Sequence, residues 1–280
     1  MTGSSVLAAL FALSAAVAWG SGDFTSGLGA RRVGAFSAVV VSYTAGLLTL
    51  TLVALAAGEI LPPPADVLWG AVAGLTGTVG LVFLLRGFSD GRMGIVAPVS
   101  AVFATSIPVL VAMLTEGMPG ALQLLGFALA LAGLWLLSRP PSLGDRPKGL
   151  GVALLAGAGF GAFFVALDQI GDSAMFWPLV VGRLIALVVM TPLALVSRRT
   201  ILPRHAPLGL LALAGVLDVG GNLLFLLATQ TGRLDVAAVL ASLYPAVTAL
   251  LAWLLAGEHM TRPQVIGAAA AIAAIVLITV

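Results

Sequence analysis

Ser138-Arg139-Pro140-Pro141-Ser142-Leu143-Gly144-Asp145-Arg146-Pro147-Lys148 is the longest polar break in the chain, and it falls at the midpoint of 280 residues. On both sides of it the sequence is apolar. Some 60% of the residues are hydrophobic and 9% charged, against about a quarter charged in a soluble domain. Apolar stretches of about 20 residues, the length that crosses a hydrocarbon core of about 30 Å, occur five times before the break and five times after it. They run over 5–28, 34–57, 66–86, 93–114, 119–138, 149–167, 174–197, 207–228, 234–256 and 263–280. The expected fold is an all-α integral membrane protein of ten transmembrane helices. The first five occupy residues 1–138, a cytoplasmic linker 139–148, and the second five 149–280. The connections leave no room for a soluble catalytic domain, so any function must be built inside the bilayer.

A shift of 141 residues places Gly20 on Gly161, Pro62 on Pro203, Gly74 on Gly215 and Gly80 on Gly221. It also places Gly91-Arg92 on Gly232-Arg233, Gln123 on Gln264 and Gly126 on Gly267. The matches are collinear, so the halves read as repeats. Five is odd, and the second repeat must therefore enter the membrane from the opposite side. Inverted repeats of this kind occur in many secondary transporters, with substrate handled near the midplane. Loop charge tests the arrangement independently. Eleven Lys and Arg fall in the connections after the odd-numbered spans, Arg233 alone falls on the other side, and Arg183 lies inside the seventh span. The positive-inside rule then places both termini outside a multi-pass protein of the inner (plasma) membrane. Ala16-Val17-Ala18 has the small-x-small form of a cleavage site, but no basic region precedes it, so the first span is expected to be retained.

A net charge of +2 selects no partner, and the low ionic content argues against nucleic acid. With no Cys, disulfides, zinc–thiolate sites and thiol catalysis fall away together. His205 and His259 lie in loops, no His-Glu-x-x-His or Gly-x-Ser-x-Gly occurs, and neither a metal nor a cofactor is expected. Gly157-x-Gly159-x-Gly161 follows no strand and reads as a helix-packing seam, as do Gly74, Gly77 and Gly80. Gly20-Ser21-Gly22-Asp23 has the form of an intramembrane aspartyl protease motif. The Tyr-Asp element that should accompany it is replaced by Leu217-Asp218 and the order is reversed, so an enzyme is not expected.

The residues that could carry chemistry are those whose burial in lipid is expensive, about 2.5 to 3.5 kcal/mol for a charge at a helix centre. Asp218 and Arg183 lie near the middle of the eighth and seventh spans, and Asp23 lies one turn after Trp19. Two readings of Asp218 stand: a structural ion pair with Arg183, or a proton or cation site with Asn222 one turn on. In the second reading Arg183 offers a planar fork to a substrate carboxylate or phosphate. Asp23 is either a coupling carboxylate or a hydrated group near the interface. Trp19 and Tyr244 are candidate cavity walls. Pro245 frees a backbone carbonyl in the ninth span, and Pro98 and Pro108 are expected to repeat the device in the fourth, close to Thr105 and Ser106.

Trp19-Gly20, Ala97-Pro98, Tyr244-Pro245 followed by Gly257-Glu258, and Gln264 with Gly267 resemble the EamA branch of the drug/metabolite transporter superfamily. The resemblance covers the whole chain. It departs at Glu116-Gly117, where the second repeat reads Gly257-Glu258, and in the termini, which the family usually places inside. It implies alternating-access transport of a small metabolite, amino-acid-like or drug-like, often outward, around a cavity walled by spans 1 to 4 and 6 to 9. The expected partners are that substrate, the bilayer, and a coupling proton or cation, in a monomer or homodimer. With no ATP-binding motif, energy would come from an ion or from exchange; one charge crossing 100 mV supplies about 2.3 kcal/mol. A passive channel or assembly scaffold is the alternative.

Overall fold

The computed structural model describes residues 3–89, 93–138, 149–173, 175–196, 206–257 and 259–279. The linker expected at 139–148, together with Arg92, Arg198, Arg199, Arg204, His205 and Glu258, lies outside the described residues. The first repeat holds α1 (Gly3–Val33), α2 (Ala35–Ala56), α3 (Pro64–Ser89), α4 (Met93–Thr115) and α5 (Ala121–Ser138). The second holds α6 (Leu150–Asp168), α7 (Phe176–Val196), α8 (Leu208–Thr231), α9 (Leu234–Ala241), α10 (Tyr244–Ala256) and α11 (Arg262–Thr279). Among the described residues there are ten spans long and apolar enough to cross a membrane, with α9 and α10 forming one of them. The first span exceeds its expected 5–28 because backbone hydrogen bonding carries the helix through Arg31 and Arg32, beyond the apolar stretch.

Local chemistry sets the helix ends. Gly34, at φ 82°, joins α1 to α2 in a single residue, and Gly257, at φ 68°, terminates α10 in the left-handed conformation that favours glycine. The repeated glutamines have a matching local role. Gln264 Oε1 accepts from the Thr261 N–H (2.9 Å) and hydroxyl (3.0 Å), and Gln123 Oε1 accepts from the Gly120 N–H (3.1 Å). Each third-position side chain reaches back to the cap of its own helix, α11 or α5.

The packing is that of two inverted repeats. The third helix of each repeat packs antiparallel to the first helix of the other, α3 with α6 and α8 with α1, and the two seams are related by the 141-residue shift. Gly80 of α3 lies against Phe160 of α6, where a Cβ would come within 2.9 Å of the Phe160 nitrogen, while Gly221 of α8 lies against the indole of Trp19 on α1. Gly20 backs onto the Tyr244 carbonyl and Val247 of α10, with a Cβ 2.6 Å from each; its mate Gly161 backs onto Ala104 and Ile107 of α4. Helices α5 and α11 pair at the periphery, Gly126 on Ile278 and Gly267 on Leu137. Within a lipid-facing bundle no hydrophobic force separates core from surroundings, and close backbone approach through small residues is the main attraction available.

A side chain on these seams should therefore cost more than one in the open. At Gly215 an added Cβ falls onto the Ser42 carbonyl of α2, whereas nothing lies within 4 Å of a Cβ at Gly209. Gly215→Ala should lose about 1–3 kcal/mol through overpacking. Gly209→Ala should hold or gain slightly, since Ala is the better helix former by up to about 1 kcal/mol. Thermal unfolding of both variants in detergent checks the contrast.

Candidate functional site at the bundle centre

A cavity of about 570 Å³ lies between the repeats. It brings together Trp19 and Asp23 from α1, Tyr43 from α2, Arg183 from α7, Asp218 and Asn222 from α8, and Tyr244 and Pro245 from α10. The lining runs to Ser138, the last residue of α5, and to Gln264 near the start of α11. A smaller cavity of about 200 Å³ shares Trp19, Asp23, Tyr43 and Asp218 with it and extends to Gly27, Ala30 and Ala35, towards the end where Arg31 and Arg32 lie.

Arg183 and Asp218 form an ion pair. The Arg183 guanidinium also lies 4.1 Å from the centroid of the Tyr43 ring, a stacked cation–π contact. Arg183 has a side chain only 6% exposed, against 35% for Asp218, so the pair shows the cavity its carboxylate rather than its guanidinium. Trp19 is held by its indole N–H, which donates to Asn222 Oδ1 at 3.0 Å and to the Asp218 carbonyl at 3.2 Å. Its ring packs with Phe164 at 5.7 Å and Phe225 at 5.8 Å, and meets Tyr244 edge-on at 6.4 Å. Asp23 is exposed to the cavities and makes no hydrogen bond or ion pair among the described residues.

The ninth span breaks at Ser242 and Leu243, between α9 and α10. The Leu243 N–H turns back to Leu240 at 3.2 Å, and Pro245, in the first turn of α10, has no N–H to give the Ala241 carbonyl. The fourth span differs from the expectation at Pro98 and Pro108: α4 runs unbroken through both, and neither lines the cavity. There the carbonyl of Ala104, which Pro108 leaves without its helical donor, packs against Gly161 of α6, and the neighbouring helix keeps the turn intact. Ser100 and Thr105 line the cavity and Ser106 does not, and the hydroxyl of each donates to a carbonyl of its own helix.

The repeats share a backbone but not this chemistry. The positions 141 residues from Asp23, Arg183 and Asp218 are Phe164, Ser42 and Gly77. Ser42 and Ser242 are 5% and 4% exposed, line the smaller and larger cavity respectively, and carry hydroxyls with no partner. Tyr43 and these two serines escaped the sequence reading. Tyr43 is one of two tyrosines in the chain, and this rarity was the available signal.

At the end of the bundle where α2, α4, α6 and α8 finish, carboxylates tie one repeat to the other. Glu59 accepts from the N–H groups of Met175, Phe176 and Trp177 at 2.5 to 3.1 Å, capping the exposed donors at the start of α7. Asp66 accepts from Gly171 N–H and Ser173 Oγ–H, both at 3.0 Å. Arg233 donates to the carbonyls of Glu116 (3.1 Å) and Gly117 (2.8 Å) and pairs with buried Asp235 at 2.7 Å. Burial pushes the Glu116 carboxyl above the usual carboxylate range, against the pull of the Leu234 N–H that it accepts. Hydrogen bonding to Asp235 pushes the Arg233 guanidinium up.

A ten-span bundle of inverted repeats with a charged, aromatic-walled cavity between them defines a class of membrane carrier. The EamA-like transporter family model matches residues 6–139 and 147–280, and the chain belongs to that family. One solved crystal structure of a protein is similar over 96% of this chain and 95% of its own, at 18% identity and a TM-score of 0.76, a likeness that shows the fold. No curated protein matches the chain.

Breaking the central pair from one side leaves a charge without its partner, which costs more than removing both. Arg183→Gln should lower the unfolding midpoint, and Arg183→Gln/Asp218→Asn should recover much of the loss. A double-mutant cycle by thermal unfolding measures the coupling, expected at about 1–3 kcal/mol for contacting residues.

Proposed function

We propose that this transporter moves a small polar or amphipathic metabolite, amino-acid-like or drug-like, by alternating access at the central cavity, outward across the inner membrane. The carrying observation is the meeting, in one cavity at the repeat interface, of Asp23, the Arg183–Asp218 pair and the broken ninth span. The break is the hinge, with Pro245 setting the first turn of α10. Trp19, Tyr244 and Asn222 form the substrate wall. Asp218 and Asp23 are the groups that couple a proton or exchanged solute to the conformational switch, and Arg183 serves mainly to hold Asp218. The carboxylate ties at Glu59, Asp66 and Glu116 support a state shut at their end and accessible from the basic end. Residues 1–138 and 149–280 act as the two moving repeats, with 139–148 as their linker.

In proteoliposomes, solute flux should saturate and should rise with an opposing proton gradient; Asp218→Asn, which leaves Arg183 unpaired, should fold with a lowered unfolding midpoint, still carry the solute and lose the gradient dependence. Flux that never saturates would instead favour a passive channel. The orientation has its own check, since the chain has no cysteine to give background. Met118→Cys, 71% exposed between α4 and α5, should react with an impermeant maleimide in intact cells, and Ala206→Cys, before α8, should not. The reverse pattern would invert the topology.

A further inference from the structure

Charge accounting in the cavity narrows the substrate. Its described lining contains three charged side chains of opposing sign, Asp23, Asp218 and Arg183. Arg183 is buried, bonded to Asp218 and stacked on Tyr43, so the cation is already neutralised and covered. Asp23 is left without a partner among the described residues and open to the cavity. With both carboxylates ionised, the lining carries one net negative charge in surroundings of low dielectric, where an unbalanced charge is strongly felt.

The two ends of a zwitterion would fare differently here. Its ammonium has Asp23 to meet, but its carboxylate has no uncommitted cation among the described lining residues and would face Asp218, the exposed member of the central pair. Among the neutral groups, the aromatic wall points the same way. Ser42 and Ser242 are more than nine-tenths buried beside the cavities, with unpartnered hydroxyls that can donate or accept and so select neither sign of charge. Trp19, Phe164 and Tyr244 supply aromatic wall, which attracts cations as well as apolar bodies.

Resting on the transporter reading above, we infer that the cavity takes an organic monocation, an amine or quaternary ammonium on an aromatic or apolar body, with Asp23 as the group that meets the positive charge. The aromatic body packs on Trp19 and Tyr244, and the Arg183–Asp218 pair stays closed beneath it. Specificity then lies in the absence of a free cation as much as in the presence of Asp23.

The test uses three probes with one ring and different charge: phenethylamine, phenylalanine and N-acetylphenethylamine. Calorimetry on the purified full-length chain at about pH 7, where an alkylamine is protonated, should show phenethylamine binding at least about tenfold more tightly than the other two. Asp23→Asn should remove that preference while leaving the acetylated probe unchanged, and Asp23→Glu should restore part of it. The wild-type ranking needs no variant, so it stands even if Asp23→Asn folds poorly. Phenylalanine binding as well as phenethylamine would overturn the cation assignment; if phenylalanine also shows saturable flux, the transporter reading survives. An unchanged amine preference in a folded Asp23→Asn protein would remove Asp23 from the role. No binding by any probe would overturn the inference, and if a broad solute panel also shows no saturable flux, the transporter reading falls with it.

Discussion

Close approach between the first helix of one repeat and the third helix of the other is the contact on which the architecture turns. At Gly80 and Gly221 there is no space for a side chain, because Phe160 and Trp19 already occupy it. These two seams place α1 and α6 on opposite sides of the centre and leave the aromatic rings facing inward. Where the seams bring backbones together, the intervening volume opens into a cavity; had larger residues held the helices apart evenly, the polar groups of α7 and α8 would have faced a looser and wetter interior.

Into that frame the chain sets a small number of charges, and their pairing explains most of the local geometry. Arg183 would be expensive at mid-membrane alone, and Asp218 together with the face of Tyr43 accounts for its position. Trp19 then bridges to Asn222 and the Asp218 carbonyl, which fixes the indole as a wall instead of a freely rotating ring. At the far end the same economy recurs: Glu59, Asp66 and Glu116 each satisfy backbone donors of the opposite repeat, and helix ends that apolar surroundings would leave unsatisfied find acceptors.

The spans, their number and the inverted repeat were readable because hydropathy reports length and a 141-residue shift reports recurrence. Trp19, Asp23, Arg183, Asp218, Asn222, Tyr244 and Pro245 do converge on one cavity, since a costly intramembrane polar group tends to face one. What the sequence left open is how each helix is rotated. A helix apolar on every face carries no stripe that separates lipid from interior, so Tyr43 on Arg183 could not be foreseen, nor could the unbroken course of α4 through Pro98 and Pro108. Proline removes one donor, but whether the helix parts there depends on the neighbour: Gly161 braces α4, while Ser242 and Leu243 relax the ninth span.

The mismatch between shared backbone and unshared chemistry has an energetic consequence. Two identical inverted halves would have end states related by a two-fold axis and equal in free energy, a degeneracy enforced by symmetry. Here Arg183 and Asp218 have Ser42 and Gly77 as their mates, and a broken helix in the second half answers an unbroken one in the first. In the proposed cycle the two end states would therefore differ in which charges are solvated and in which helix bends. On the alternating-access proposal this difference amounts to a built-in resting preference, a bias that duplication alone would never supply and that each later substitution in one half can retune without touching the other.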